Sequence, residues 1–98
     1  MIDVIKSEIF DRWLRKLRDP QARARIQIRI RRLSLGNPGD VRSIGQGLSE
    51  MRIDYGPGYR VYYMKHTSVF VVLLCGGDKR SQQNDIIKAK ELAAEWKG

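Results

Sequence analysis

The sequence predicts one α+β domain with the element order β-α-α-β-β-β-α and a mostly antiparallel sheet. Three observations support this class. Two apolar patterns of helical period lie near the amino terminus, patterns of period two begin near residue 48, and another helical pattern ends the chain. The length of 98 residues suits a single domain, which we expect to span residues 1–98.

The first part of the chain predicts a strand followed by a hairpin of two helices. Residues 1–6 are short and rich in β-branched side chains, as in a strand. Ser7 can cap a helix whose apolar residues recur every three or four positions: Phe10, Trp13, Leu14 and Leu17. Asp19-Pro20 begins a second helix, which Gly36 ends. Its apolar positions are Ala22, Ile26, Ile30 and Leu33.

The middle of the chain predicts a loop and then a β-hairpin. Residues 40–47 are punctuated by glycine and are expected to form the loop. Alternation then places Met51, Ile53, Tyr55, Tyr59, Val61 and Tyr63 on a core face. The same alternation places Glu50, Arg52, Asp54, Arg60 and Tyr62 on a polar face. Closure of the hairpin about Pro57 would set Asp54 opposite Arg60 and Arg52 opposite Tyr62.

The last part of the chain predicts an interior strand and a terminal helix. A second turn is expected at Lys65–Ser68, and Val69–Leu74 is apolar on both faces, which is typical of an interior strand. The chain is expected to break at Gly76-Gly77, with Ser81 capping the last helix. That helix has apolar positions at Ile86, Ala89, Ala93 and Trp96.

The charge balance points to a polyanionic or acidic partner. Nineteen Lys and Arg against eleven Asp and Glu give a formal net charge of +8. Such a field concentrates polyanions at the surface, so nucleic acid is the first expected partner and an acidic protein the second. The side of the second helix opposite its apolar stripe is basic, and either a solvated face or a partner surface explains it. Its residues are Arg23, Arg25, Arg29, Arg31 and Arg32.

Several classes of protein are disfavoured by composition. The single Cys75 excludes an internal disulfide and a multi-cysteine zinc site, and it is expected to be a buried, reduced thiol. The longest apolar run, Val69–Cys75, is too short to span a membrane, and no secretory signal pattern is visible. We expect a cytoplasmic protein with no metal and no cofactor.

The residues from Leu48 onward resemble a known family. The segments are E-M-R-I-D-Y-G-P-G-Y-R-V-Y-Y (Glu50–Tyr63) and V-V-L-L-C-G-G-D-K-R-S-Q (Val71–Gln82). Together with F-D-R-W-L-R-K-L-R-D (Phe10–Asp19), A-R-A-R-I (Ala22–Ile26) and G-N-P-G-D (Gly36–Asp40), they are similar to the HigB-like branch of the RelE/ParE toxin superfamily. The resemblance implies a RelE-like fold and a toxin of a type II toxin-antitoxin system.

The resemblance also implies site residues for RNA cleavage. Arg60 matches the arginine of the Tyr-Arg-Val segment that serves RelE-like nucleases in transition-state binding, and Lys79 and Arg80 match the basic stretch after the interior strand. A surface arginine paired with Asp54 is the competing interpretation of Arg60. Arg52 and Tyr62 share its predicted face. Arg52 is expected to contact phosphate, and Tyr62 is either a stacking platform for a base or a half-buried tyrosine of the sheet.

The acid and base of such a reaction are less evident. Where some RelE-like enzymes have Tyr or His, this chain has Gln82-Gln83-Asn84-Asp85. Asp78, Asp85 or Glu50 would have to transfer the protons. The single histidine, His66, is expected in a surface turn.

Three functions follow as hypotheses. The first is an mRNA interferase, a metal-independent endoribonuclease acting on ribosome-bound mRNA and neutralised by a cognate antitoxin, with operator DNA contacted only through the antitoxin complex. The second is a ParE-like DNA gyrase poison, and the third is a degenerate toxin that only binds. Charge complementarity predicts the antitoxin over the groove near Arg60 or over four arginines of the second helix. These are Arg23, Arg25, Arg29 and Arg32.

Overall fold

The computed structural model describes residues 1–97 and shows helices packed on both faces of a five-stranded sheet, which confirms the α+β class. The helices are α1 (Glu8–Lys16), α2 (Pro20–Ser34) and α3 (Gln82–Lys97), with a short 3-10 turn at Lys79–Ser81. The strands are β1 (Asp3–Lys6), β2 (Val41–Gly45), β3 (Leu48–Ile53), β4 (Tyr59–Thr67) and β5 (Phe70–Gly77).

The sheet is mostly antiparallel, as predicted. Its strand order is β1-β5-β4-β3-β2, and β1 pairs in parallel with β5 while every other neighbouring pair is antiparallel. The interior position of β5 confirms the interpretation of its apolar run, because a strand buried on both faces needs apolar side chains on both. Gly76 and Gly77 continue this strand rather than breaking it.

The caps predicted for the first two helices are present and fix the helical hairpin, whereas Asp78 and not Ser81 caps the 3-10 turn that leads into α3. The Ser7 hydroxyl accepts a hydrogen bond from the Phe10 amide (3.0 Å) and donates one to the Leu74 carbonyl (2.8 Å), which ties the start of α1 to β5. The Asp19 carboxylate accepts from the amide of Gln21 (2.9 Å) at the start of α2.

The predicted loop at residues 40–47 is wrong, because Val41–Gly45 forms the edge strand β2. This strand is short and has one neighbour, and its pairing shifts between Ser43 and Gly45. Such a bulge breaks the period of two by which a strand is recognised. Pairing with β3 therefore forms a strand that the local pattern does not reveal.

The prediction that one face of the β-hairpin is polar and exposed is also wrong for much of the hairpin's length. One core cluster lies under α1 and α2, and a second lies under α3 on the opposite face of the sheet. Consequently Glu50 and Tyr62 are fully buried. At the far end of α3, Trp96 is exposed rather than part of the core.

The β3–β4 hairpin closes two residues away from the predicted register. Arg52 is opposite Arg60 and Glu50 is opposite Tyr62. The turn is closed by a hydrogen bond from the Gly58 amide to the Tyr55 carbonyl (3.1 Å). Because a shift of two keeps every side chain on its face, alternation cannot choose between these registers.

Replacement of Gly76 by alanine is expected to lower stability by about 1–3 kcal/mol, the usual cost of overpacking a core. A Cβ at this position would lie 2.4 Å from the Trp13 ring. Gly76 does not have the left-handed backbone conformation, so the effect is purely steric. Thermal unfolding measures it, and the substitution should cost less in a Trp13→Leu background. An equal cost in both backgrounds would contradict this explanation.

Candidate phosphate-binding site

A cavity of about 470 Å³ at the ends of β3 and β4 brings together three of the predicted cationic residues. Arg52 comes from β3, Arg60 from β4 and Lys79 from the turn before α3. The register of the hairpin explains the first pair, because Arg52 and Arg60 are directly opposite each other. The cavity is open to solvent, so an anion can reach these cations.

A buried carboxylate behind the cavity organises the arginines. Glu50 is fully buried, and its Oε1 accepts hydrogen bonds from Arg42 Nε (2.8 Å) and Arg60 Nη1 (3.3 Å). Its Oε2 accepts from Gln82 Nε2 (2.9 Å) at the start of α3. Burial opposes ionisation of Glu50, but these hydrogen bonds and the two positive charges outweigh it, and the pKa of Glu50 is lowered. Glu50 is therefore a fixed anion.

Arg60 is held by this carboxylate and not by Asp54, its partner in the competing interpretation. The Arg60 side chain is 12% exposed. Within residues 1–97, Glu50 accepts a hydrogen bond from the Nη1 group of Arg60 and from no other atom of that side chain. Arg52 is paired instead with Asp40 (2.9 Å). Lys79 is exposed and has no carboxylate within 4 Å in residues 1–97. An anion in the cavity would therefore meet one pre-oriented arginine and one unpaired lysine.

Arg42 is a cationic residue of this region that the sequence interpretation missed. It lies on β2 directly opposite Glu50 and is about half exposed. Its Nε is bound to the same carboxylate oxygen as Arg60, so the two guanidinium groups are neighbours. The sequence predicts a loop for residues 40–47, and a loop prediction does not give the Arg42 side chain a defined direction.

Arg80 does not line the cavity that contains Arg60. It is exposed and paired with Asp78 (3.0 Å), and it borders a neighbouring cavity of about 390 Å³ together with Lys79 and Gln83. Its role in catalysis stays a prediction, and a substrate would have to extend past Lys79 to reach it.

Tyr62 is placed differently from its expected role as a stacking platform. The residue is fully buried under α3, and its hydroxyl has no hydrogen-bond partner among the described residues. Burial, followed by the charge of Glu50, raises the pKa of Tyr62. Stacking of a base on this ring is not possible in this conformation.

The carboxylates proposed as acid or base are engaged elsewhere. Asp78 accepts from the Arg80 amide and side chain. The Ser81 hydroxyl donates to Asp85 (2.5 Å), and burial raises the pKa of Asp85, which borders another cavity beside Cys75. The Cys75 thiol is buried as expected, which raises its pKa to about 12.

Asp54 is the carboxylate that sequence reasoning left out of the chemistry. It is exposed, lines the cavity with Arg60, and forms no ion pair among the described residues. His66 does not line this cavity. It is exposed near the end of β4, where its ring contacts Phe70 edge-on. The turn expected at Lys65–Ser68 accordingly begins later, after Thr67.

Two of the four arginines predicted to bind an antitoxin have structural roles. Arg29 donates to the carbonyls of Arg52 (2.6 Å) and Pro38 (2.9 Å), which fastens α2 to β3 and to the following loop. Arg23 donates to the Leu17 carbonyl. Arg25 and Arg32 are exposed, and Arg25 lies 4.6 Å above the Tyr55 ring.

Within residues 1–97 no three His, Cys, Asp or Glu side chains are grouped as metal ligands, and no helix is long and apolar enough to cross a bilayer.

Comparison with known proteins identifies the family. The model of the family described as Phage derived protein Gp49-like (DUF891) matches residues 12–95. The chain belongs to this family, which is of the toxin-antitoxin type and is related to RelE and ParE. An uncharacterized protein of Haemophilus influenzae is 54% identical over 86 residues, covering 88% of this chain and 87% of the relative. Membership of the HigB-like branch stays a prediction.

The substitution Glu50→Gln is expected to lower stability by about 1–3 kcal/mol at neutral pH. This loss of stability is smaller than the usual cost of removing one partner of a fully buried ion pair, because Arg42 and Arg60 are both partly exposed to solvent. The lowered pKa means that ionised Glu50 stabilises the fold above its ordinary pKa of 4.5, and that this stability is lost as pH falls through the folded pKa. Denaturant titrations of both proteins should therefore converge only at acidic pH, once the pH has fallen through the lowered pKa of Glu50. A stability difference independent of pH would contradict the ionised state.

Proposed function

We propose that this protein is the toxin of a type II toxin-antitoxin system and cleaves RNA. The observation that carries the proposal is the position of Arg60, which is held by buried Glu50 at the wall of an open cavity that also contains Arg52 and Lys79. Planar guanidinium groups bind phosphate oxygens in pairs, and arginine stays charged at every physiological pH. The family relationship supports the toxin class.

The chemistry proposed is attack of a ribose 2′-oxygen on the adjacent phosphorus. The new O–P bond closes a 2′,3′-cyclic phosphate and the P–O5′ bond breaks. The 5′-oxygen takes a proton from water, and the hydroxide that remains recovers the proton that the 2′-hydroxyl gave up. Arg60 and Lys79 stabilise the charge that develops on the non-bridging oxygens. Asp54, the unpaired carboxylate of the cavity, accepts the 2′-hydroxyl proton. No metal ion is required.

Ribosome-bound mRNA is the substrate that fits this limited set of groups. Alignment of the nucleophile contributes a large share of such a rate, and a translating ribosome can supply the alignment that a shallow protein cavity does not. The net charge of +8 favours binding to a ribonucleoprotein. A cognate antitoxin would neutralise the activity.

A gyrase poison is the second candidate. It is favoured by the fact that none of the described residues lining the cavity is a histidine, so proton transfer depends on Asp54, Tyr59 or Lys79. On this hypothesis, expression would break DNA and leave mRNA intact.

Arg60→Ala is expected to abolish growth arrest on expression and to lower RNA cleavage in a translating extract about 10²–10³-fold, the usual loss when one transition-state donor is removed. Lys65→Ala is the matched control, because Lys65 is an exposed cation on the same strand. Primer extension on a translated message measures cleavage, and circular dichroism confirms folding.

Two results would contradict the proposal. Full cleavage by folded Arg60→Ala would remove the site assignment. DNA breaks with intact mRNA on expression of the wild-type protein would replace the nuclease by the gyrase poison.

A further inference from the structure

The outer face of α2 exposes apolar and basic side chains in one stripe. Ile28 and Leu35 are 52% and 59% exposed, and they are seven residues apart. Arg25 and Arg32 have the same spacing and alternate with them. Leu35 continues the helical path, because its amide donates to the Arg31 carbonyl (3.2 Å). At 3.6 residues per turn these four side chains lie on one side of the helix, opposite its buried residues.

Neither the fold nor phosphate binding accounts for the exposed apolar side chains of this stripe, Ile28 and Leu35. Arg25 and Arg32 form no ion pair within the described part of the chain, in contrast to Arg42, Arg52 and Arg60. Large apolar side chains at heptad spacing contribute nothing to a phosphate contact, but they are what a second helix packs against. Basic residues beside them favour acidic residues on the partner. The stripe therefore fits an amphipathic acidic helix better than it fits RNA.

The stripe also adjoins the candidate site. A cavity of about 240 Å³ between α2 and the end of β3 is lined by Arg25, Ile28 and Arg32. Ile53 and Asp54 line both this cavity and the one that contains Arg60. A chain docked on the stripe would consequently lie at the mouth of the phosphate-binding cavity.

We propose that Arg25, Ile28, Arg32 and Leu35 form the docking surface for an acidic amphipathic helix of a neutralising protein. The inference rests on the proposed function for the identity of that protein as an antitoxin. Apolar side chains of the helix cover Ile28 and Leu35, and its carboxylates pair with Arg25 and Arg32. Because the two cavities share a wall, docking excludes RNA from the site.

The test uses a synthetic helical peptide as probe. It is about three heptads long, with leucine at heptad spacing flanked by glutamate, and a scrambled peptide of the same composition is the control. Fluorescence anisotropy measures binding to the wild-type protein, to Ile28→Ser/Leu35→Ser and to Ile87→Ser. Ile87 is the matched control, because it is 57% exposed but lies on α3.

The ordered peptide is expected to bind the wild-type protein and Ile87→Ser about tenfold or more tightly than it binds Ile28→Ser/Leu35→Ser. The scrambled peptide is expected to bind the wild-type protein about tenfold or more weakly than the ordered peptide does. It should also displace a labelled RNA oligonucleotide. Absence of binding, or equal binding of both peptides, would overturn the inference. If the peptide does not bind and Arg25→Glu/Arg32→Glu loses RNA binding, the stripe is an RNA-binding surface instead.

RNA cleavage by the same proteins separates the two proposals. Ile28→Ser/Leu35→Ser should cleave like the wild-type protein, since neither residue lines the cavity of Arg60. Peptide binding without cleavage would refute only the nuclease. Arg60-dependent cleavage without peptide binding would refute only the docking surface.

Discussion

The carboxylate of Glu50 is the interaction on which the candidate site depends. A buried charge is unfavourable unless it is paired and hydrogen-bonded, and Glu50 satisfies this through Arg42 on β2, Arg60 on β4 and Gln82 on α3. The same contacts join an edge strand, an interior strand and the last helix. The anion therefore links the packing of the sheet to the direction of two guanidinium groups.

This arrangement separates structural cations from cations that are free to bind. Arg29 hydrogen-bonds three backbone carbonyls and Arg52 pairs with Asp40, so part of the high positive charge stabilises the fold. Lys79, Arg25 and Arg32 have no carboxylate within 4 Å in residues 1–97. Net charge alone suggests a polyanionic partner, but only these contacts show which residues can meet one.

The sequence predicts the elements better than it predicts their pairing. Ser7, Asp19 and the apolar run of β5 have strong local signals, and the structure confirms all three. The bulge in β2 has no such signal, and alternation cannot distinguish hairpin registers that differ by two residues. Glu50 is buried because α3 covers its face of the sheet. The apolar positions Ile86 and Ala89 indicate that α3 packs on the sheet, but they do not indicate on which face. Arg60 and Lys79, which the resemblance implies as site residues, line the same cavity, whereas the positions of Arg42 and Asp54 become clear only from the fold.

The most direct test of the central claim is a crystal structure of the protein with an RNA oligonucleotide that lacks the attacking 2′-hydroxyl. Such a 2′-deoxy substitution lets the oligonucleotide bind without being cleaved. The account predicts the scissile phosphate within hydrogen-bond distance of Arg60, with the bond between Arg60 and Glu50 preserved. A phosphate bound away from this cavity, with Arg60 still turned only toward Glu50, would contradict it.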